Sequence, residues 1–289
     1  MDRRQLVKLV PSILAGATAV LYVGSQAFPA IPEAEAGPVL SAAGVFVTPR
    51  EGTVSSALMG SSVRSAVARV VAPSRASAVA ANTENAVETL AASVRTLSHP
   101  HALRDAFASY FAFKASNPEK VRKPFLYFVD YGLSNTTPRG YVFDMETLRL
   151  VDGPFMVAHG RGSAQDSRGI PTRFSNNFGA ATTSLGLYVA QETYAFSGHA
   201  GGRLYRSVGL RLAGVSGNFN SNARARGVVA HGAPYVTSMR AGRSEGCPAM
   251  DPDRAENLLP KLANGGLVFL FAPNDNWMTR DPWLTAQVD

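Results

Sequence analysis

The chain has 289 residues, of which 46% are hydrophobic and 17% charged, enough for one sizeable core or a core with a small accessory unit. Its formal charge of +7 is scattered, with no run of five or six Lys/Arg and no basic helix carrying interleaved aromatics. That distribution argues against a nucleic-acid surface and suits a polyanionic cell envelope. The single cysteine excludes an internal disulfide, so stability must come from packing.

In chain order, Asp2-Arg3-Arg4 and Lys8 precede an apolar stretch from Leu9 to Val23, and Ala34-Glu35-Ala36 fits a small-residue cleavage site. Residues 1–36 therefore read as a signal peptide or a membrane anchor. Either places the body in the periplasm or cell envelope, the second with an N-terminal membrane association. Residues 37–81 are rich in Ala, Ser, Val, Gly and Pro with almost no aromatics, which reads as a linker. From Asn82 the pattern changes: Val87, Leu90, Val94, Leu97, then Leu103, Phe107, Tyr110 and Phe111 recur at helical spacing around a break at His99-Pro100. The spacing predicts two short helices in an accessory segment over 82–118.

After Pro118 the pattern becomes β. Phe125–Val129 and Tyr141–Phe143 flank a polar turn, and Pro154 to Ala158 begins a third apolar run. Further strands are expected at 184–190, 207–212, 227–231 and 266–271. A helix is expected at 252–262, opened by Asp251 as N-cap and closed before Asn264-Gly265. Together with 26 Gly, 18 Pro, nine Tyr and fifteen Phe, this gives a mostly β catalytic domain over 121–275 with one late helix, followed by a tail over 276–289.

An unpaired thiol in an exported chain is either a small buried hydrophobe or a nucleophile. Cys247 follows Ser244-Glu245-Gly246 and precedes Pro248, and a glycine there lets the backbone bend so that amide N–H groups face an anion forming on a substrate carbonyl. His231 ends the apolar run Val228-Val229-Ala230 sixteen residues earlier, where a strand would deliver it to a loop rim. A lone strand-end histidine is more often structural, but beside the only cysteine it becomes the candidate base.

His231-Gly232 and Ser244-Glu245-Gly246-Cys247 together resemble the His-Gly and Ser-x-Gly-Cys signature of L,D-transpeptidase catalytic domains. Four ordered segments, Val157–Gly162, Arg173–Asn176, Ser184–Tyr188 and Gly242–Ala249, are similar to one branch of that family, so the resemblance spans about Lys123 to Ala272. It implies an L,D-transpeptidase-like β-sandwich or barrel preceded by a short helical segment. It also implies a peptidoglycan L,D-transpeptidase, with L,D-carboxypeptidase activity when water is the acceptor. Cys247 would attack the third residue of a tetrapeptide stem to form a thioester. His231 would hold the thiolate and later deprotonate the acceptor, oriented by the Gly232 carbonyl. Ser244 would add a hydrogen bond near the thiol, and the Gly246 and Cys247 amides would bind the oxyanion. Glu245 and Ala249 stand where better-known members carry His and Arg or Asn, so substrate contacts at those places do not carry over.

His159 and Arg161 end another apolar run in a Gly-rich loop and are candidate substrate-binding residues, as are Arg243, Tyr188 and Tyr235, each also explicable as structure. No cofactor is expected. The five histidines show no H-E-x-x-H spacing and there is no Cys-x-x-Cys, so no metal site is assigned. The alternatives are a zinc-dependent murein peptidase built from His159, His199, His231 and Cys247, and a non-catalytic wall-binding module on the same fold.

Overall fold

The computed structural model describes residues 74–166 and 169–285. The signal or anchor segment and most of the linker lie outside the described residues. Helix α1 (Arg75–Leu90) opens where the Ser74 hydroxyl accepts from the Ser77 amide, seven residues before the expected helical segment, and α2 (Ala102–Ser116) follows the break at Pro100. Strands β1 (Phe125–Asp130), β2 (Gly140–Asp144) and β3 (Arg149–Phe155) form the expected meander, although β3 starts ahead of Pro154. Then come β4 (His159–Gly160), β5 (Gly186–Ala200), β6 (Arg203–Gly214), β7 (Val229–Gly232), β8 (Arg243–Ser244) and β9 (Ala249–Met250). Helix α3 (Pro252–Leu262) precedes β10 (Leu267–Phe271), and two single turns close the chain, α4 (Asp275–Met278) and α5 (Pro282–Thr285).

The domain is mostly β as expected, realised as one eight-stranded mixed sheet in the order β3-β2-β1-β10-β5-β6-β7-β9, with a two-stranded β4-β8 ladder beside it. β1 and β10 pair in parallel at its centre, Leu126 opposite Leu267 through Asp130 opposite Phe271. Both are buried at almost every position, which is why they read as unbroken apolar runs and not as alternation. The late helix occupies the expected span, with Asp251 accepting from the Arg254 amide and Pro252 in the first turn.

Two features depart from the expectations. β5 and β6 run far beyond 184–190 and 207–212 into a long hairpin closed by Gly201-Gly202, both at positive φ (56° and 78°), which is the backbone a two-residue turn between twisted strands requires. The stretch expected as a tail is packed: Trp277 is buried with its indole N–H on Asp281 at 2.8 Å, and Trp283 meets Phe113 edge to face. The two helices pack into the main core, with Phe107 edge-on to Phe143 and ring centroids 5.3 Å apart. Among the described residues no helix is long and apolar enough to cross a membrane.

Because Phe107 is fully buried, Phe107→Ala is expected to cost about 3–5 kcal/mol of unfolding free energy. A loss below about 1 kcal/mol in denaturant titration would mean that the helices are a detachable accessory.

Candidate active site

The cysteine loop is held at both ends by one strand. Residues 158–161 receive its exit through the Ala158 amide on the Ala249 carbonyl (2.8 Å) and its entry through the Arg161 amide on the Ser244 carbonyl (2.7 Å). Between those points the chain makes a tight turn. The Ser244 hydroxyl donates to the Cys247 carbonyl at 2.7 Å and accepts from the Gly246 amide at 3.1 Å. Ser244 therefore closes the turn and does not touch the sulfur, and the Gly246 N–H is engaged on that hydroxyl. That geometry occupies the Gly246 N–H expected for the oxyanion and sets the Ser244 hydrogen bond on the Cys247 carbonyl. Gly246 itself lies at φ 125°, and a Cβ there would meet the Thr182 carbonyl oxygen at 2.8 Å, so the position demands glycine.

β7 carries His231 beside this loop: His231 aligns with Ala249 in the parallel β7-β9 pair, two residues beyond Cys247. The His231 Nδ1 lies 3.0 Å from the Gly232 carbonyl oxygen. A carbonyl can only accept, so Nδ1 carries the proton and Nε2 presents a bare lone pair. Phe196, from the distal half of the long hairpin, stacks on the imidazole with centroids 4.2 Å apart. Burial pushes His231 down to about 4, with the Gly232 bond opposing it. Burial likewise pushes the Cys247 thiol up, against the Val229 amide and Arg226, which favour the thiolate. Both shifts run against charge separation, since burial disfavours the imidazolium and the thiolate alike. Cys247 Sγ rests 3.9 Å from the Gly227 carbonyl.

Cys247 opens onto a cleft of about 320 Å³ lined also by Phe178, Ala181, Arg226, Val228 and Glu245. Of the five substrate-binding candidates, only Arg161 reaches this mouth, through an exposed ion pair from its Nε to Glu245 Oε1 at 2.7 Å. His159 is fully buried behind the loop, its Nδ1 accepting from Arg139 at 2.9 Å. Tyr188 is core, its hydroxyl donating to the Ser184 carbonyl at 2.7 Å. Tyr235 packs edge-on to Tyr205, and Arg243 is exposed on β8 without lining the cleft. The zinc alternative loses its donor set: His159 is sealed behind the loop and His199 sits exposed near the hairpin tip. Among the described residues no group of three or more His, Cys, Asp or Glu is placed to hold a metal ion.

Arg226 and Phe196 were missed by sequence reasoning. Arg226 carried one available signal, an arginine five residues ahead of the candidate base. Phe196 was signalled by the Gly201-Gly202 pair, which defines the hairpin that delivers it.

With this geometry in hand, comparison with known proteins is specific. The model of the L,D-transpeptidase catalytic domain family matches residues 95–271, and the chain belongs to that family. No curated protein matches it. Among solved structures, it is similar to an L,D-transpeptidase from Mycobacterium smegmatis, at 14% identity over 52% of this chain and 59% of the other, with a TM-score of 0.31. It is also similar to one from Xylanimonas cellulosilytica, at 14% identity over 52% and 61% with a TM-score of 0.32. A third, from Mycobacterium tuberculosis, shows 14% identity over 51% and 57% with a TM-score of 0.29. The chain thus spans about six tenths of the length of these solved relatives, and the family match alone carries the assignment.

Gly246→Ala is expected to destabilise the protein more than Gly227→Ala. Both positions have positive φ, but only the first places a Cβ against a carbonyl, and strain of this kind costs about 1–3 kcal/mol. Equal melting temperatures for the two variants would show that the loop simply shifts aside.

A second expectation concerns pH. Burial, then Arg139 and Arg243, push His159 down to about 3, and burial pushes His231 to about 4, from 6.5 when free. The unfolded chain then takes up protons that the folded chain refuses, so stability falls as pH drops from about 6.5 toward 4. Burial pushes Asp105 up to about 6 and raises Asp130, which opposes the loss in the same window. The net loss should be about 2–4 kcal/mol in denaturant midpoints, and His159→Gln should make it shallower. An unchanged slope in His159→Gln would remove this imidazole from the account.

Proposed function

We propose that the protein is a peptidoglycan L,D-transpeptidase working through a Cys247 thioester, exported to the periplasm or cell envelope. The observation that supports it most is the pairing of a thiol on a glycine-bent loop with a strand-end imidazole whose Nδ1 is fixed on Gly232, leaving Nε2 free to take a proton. In this reading the Cys247 thiol attacks the carbonyl of the third residue of a tetrapeptide stem. The proton passes to His231 Nε2, and the amide nitrogen of the terminal residue takes it on leaving. The acceptor amine then gives a proton to the same imidazole as it attacks the thioester, and the thiol is restored. Water in place of the amine gives an L,D-carboxypeptidase.

In this reading His231 acts as a general base during attack, since burial disfavours both a standing imidazolium and a preformed thiolate. The Cys247 amide faces the developing oxyanion, and the hairpin that brings Phe196 over the imidazole keeps water from that face. A stem amine, a lipoprotein lysine, a D-amino acid or water would each fit this chemistry as acceptor.

Incubation with a disaccharide-tetrapeptide should yield, by mass spectrometry, cross-linked or shortened stems. A carbapenem should add one covalent equivalent to the protein and none to Cys247→Ala. His231→Ala should slow acylation roughly 10²–10⁴-fold. An adduct that persists without Cys247, or intact stems with a well-folded protein, would overturn the assignment and favour a wall-binding module.

A further inference from the structure

The cleft contains a cation with no anion of its own. Arg226 precedes β7 in a stretch of tight turns, its amide bonded to the Asn222 carbonyl at 2.8 Å. Its guanidinium donates from Nη1 to the Ser175 carbonyl at 2.8 Å and to Ser184 Oγ at 3.4 Å, and from Nη2 to the Thr182 carbonyl at 3.0 Å. All three acceptors are neutral. They fix the plane of the group without cancelling its charge, and they leave two of its five N–H donors over. Among the described residues no carboxylate pairs with it. Glu245, the acidic residue that lines the same cleft, is engaged by Arg161 at the mouth, whereas Arg224, a neighbour in sequence, pairs with Glu192.

The position of this charge matters as much as its being unpaired. Arg226 and Cys247 line the same cleft, and Nη2 lies 3.8 Å from where a Cβ at Gly246 would stand, against the loop that presents the thiol. Behind it, Tyr188 bonds Ser184, so the support reaches into the core. A half-buried, oriented, uncancelled guanidinium beside a nucleophile is a fork for a planar anion.

We propose that Arg226 is a substrate-binding residue that receives the carboxylate next to the scissile bond of the donor peptide. A stem that loses its terminal residue carries that residue's carboxylate two bonds beyond the scissile nitrogen, which places an anion beside the attacked carbonyl. The identity of the peptide rests on the transpeptidase reading, while the anion site rests on the cleft alone. Arg161 and Glu245 stand over the mouth as a neutralised pair, so Arg226 is the charge an incoming carboxylate meets.

The test separates the two layers. The sole thiol of the full chain is alkylated in parallel with iodoacetate and iodoacetamide, and the rate ratio is normalised to that of N-acetylcysteine. The wild type should favour the anionic reagent roughly tenfold or more, Arg226→Lys should keep most of that preference, and Arg226→Gln should abolish it. A wild-type ratio equal to that of the free thiol overturns the proposal however the variants fold. A preference unchanged in a folded Arg226→Gln reduces Arg226 to a clamp for residues 175–184 and overturns it as well. In the peptide arm, the wild type should prefer a tetrapeptide to its C-terminal carboxamide roughly 10–100-fold in kcat/KM, and Arg226→Gln should use both alike. Equal use of the two peptides by the wild type would refute the carboxylate assignment. Failure on both with the alkylation preference intact would refute the transpeptidase reading and leave the anion site standing.

Discussion

The active loop depends on a guanidinium buried out of sight of it. Arg139 is fully buried; it donates from Nε and Nη2 to the Val157 carbonyl at 3.0 and 2.8 Å, from Nη1 to the Leu133 carbonyl at 2.6 Å, and from Nη2 to His159 Nδ1. Its plane lies over the Tyr131 ring at 4.8 Å. Burying a cation costs several kcal/mol unless its donors are used, and here they are, with Asp130 supplying negative charge nearby. Because Arg139 can only donate, His159 must accept at Nδ1 and remain neutral, which fixes its tautomer. Thus 157–159 is pinned from below. Ala158 and Arg161 in turn grip Ala249 and Ser244, and the cysteine turn inherits the rigidity of that strand.

The chemistry at the rim follows from a second constraint, dryness. Phe196 covers the imidazole, and the sulfur lies against the backbone at Gly227 and Val229. Desolvation disfavours charge on both partners in opposite senses, raising the thiol and lowering the imidazole. Burial thus disfavours a standing thiolate, while the Gly232 bond leaves Nε2 bare on the strand beside the cysteine loop. The long hairpin thus reaches the candidate site: the Gly201-Gly202 turn closes the strands that carry Phe196 over His231.

Most of this was legible in the residues. The central strands, the late helix and its Asp251 cap, and the His231 and Cys247 candidates stand where spacing put them, because each rests on local rules: apolar runs, caps, and a lone thiol after glycine. What was not legible depends on pairing across the sheet. Tyr188 and His159 look like pocket residues in a strand pattern, but only the register shows that their side chains turn inward, to Ser184 and Arg139. The distal hairpin lacks an apolar run because its outer half is solvated on one face, so hydrophobicity under-reads it while its turn glycines announce it. Ser244 was expected to add a hydrogen bond near the thiol, and a hydroxyl within a tight turn satisfies the turn first, here on the Cys247 carbonyl.

The departures from better-known relatives also acquire a physical sense. Glu245 occupies the place where an imidazole is familiar, and an exposed ion pair such as Arg161–Glu245 contributes at most about 1 kcal/mol to stability. Its consequence is electrostatic placement. With its carboxylate engaged by Arg161, Glu245 no longer offsets the charge on Arg226, and the two charges at the mouth cancel while the one inside does not. On the proposed reading, a cleft built this way would distinguish an anionic peptide end from a neutral one at the depth of the thiol, where the dielectric is lower and the same charge acts more strongly than at the rim.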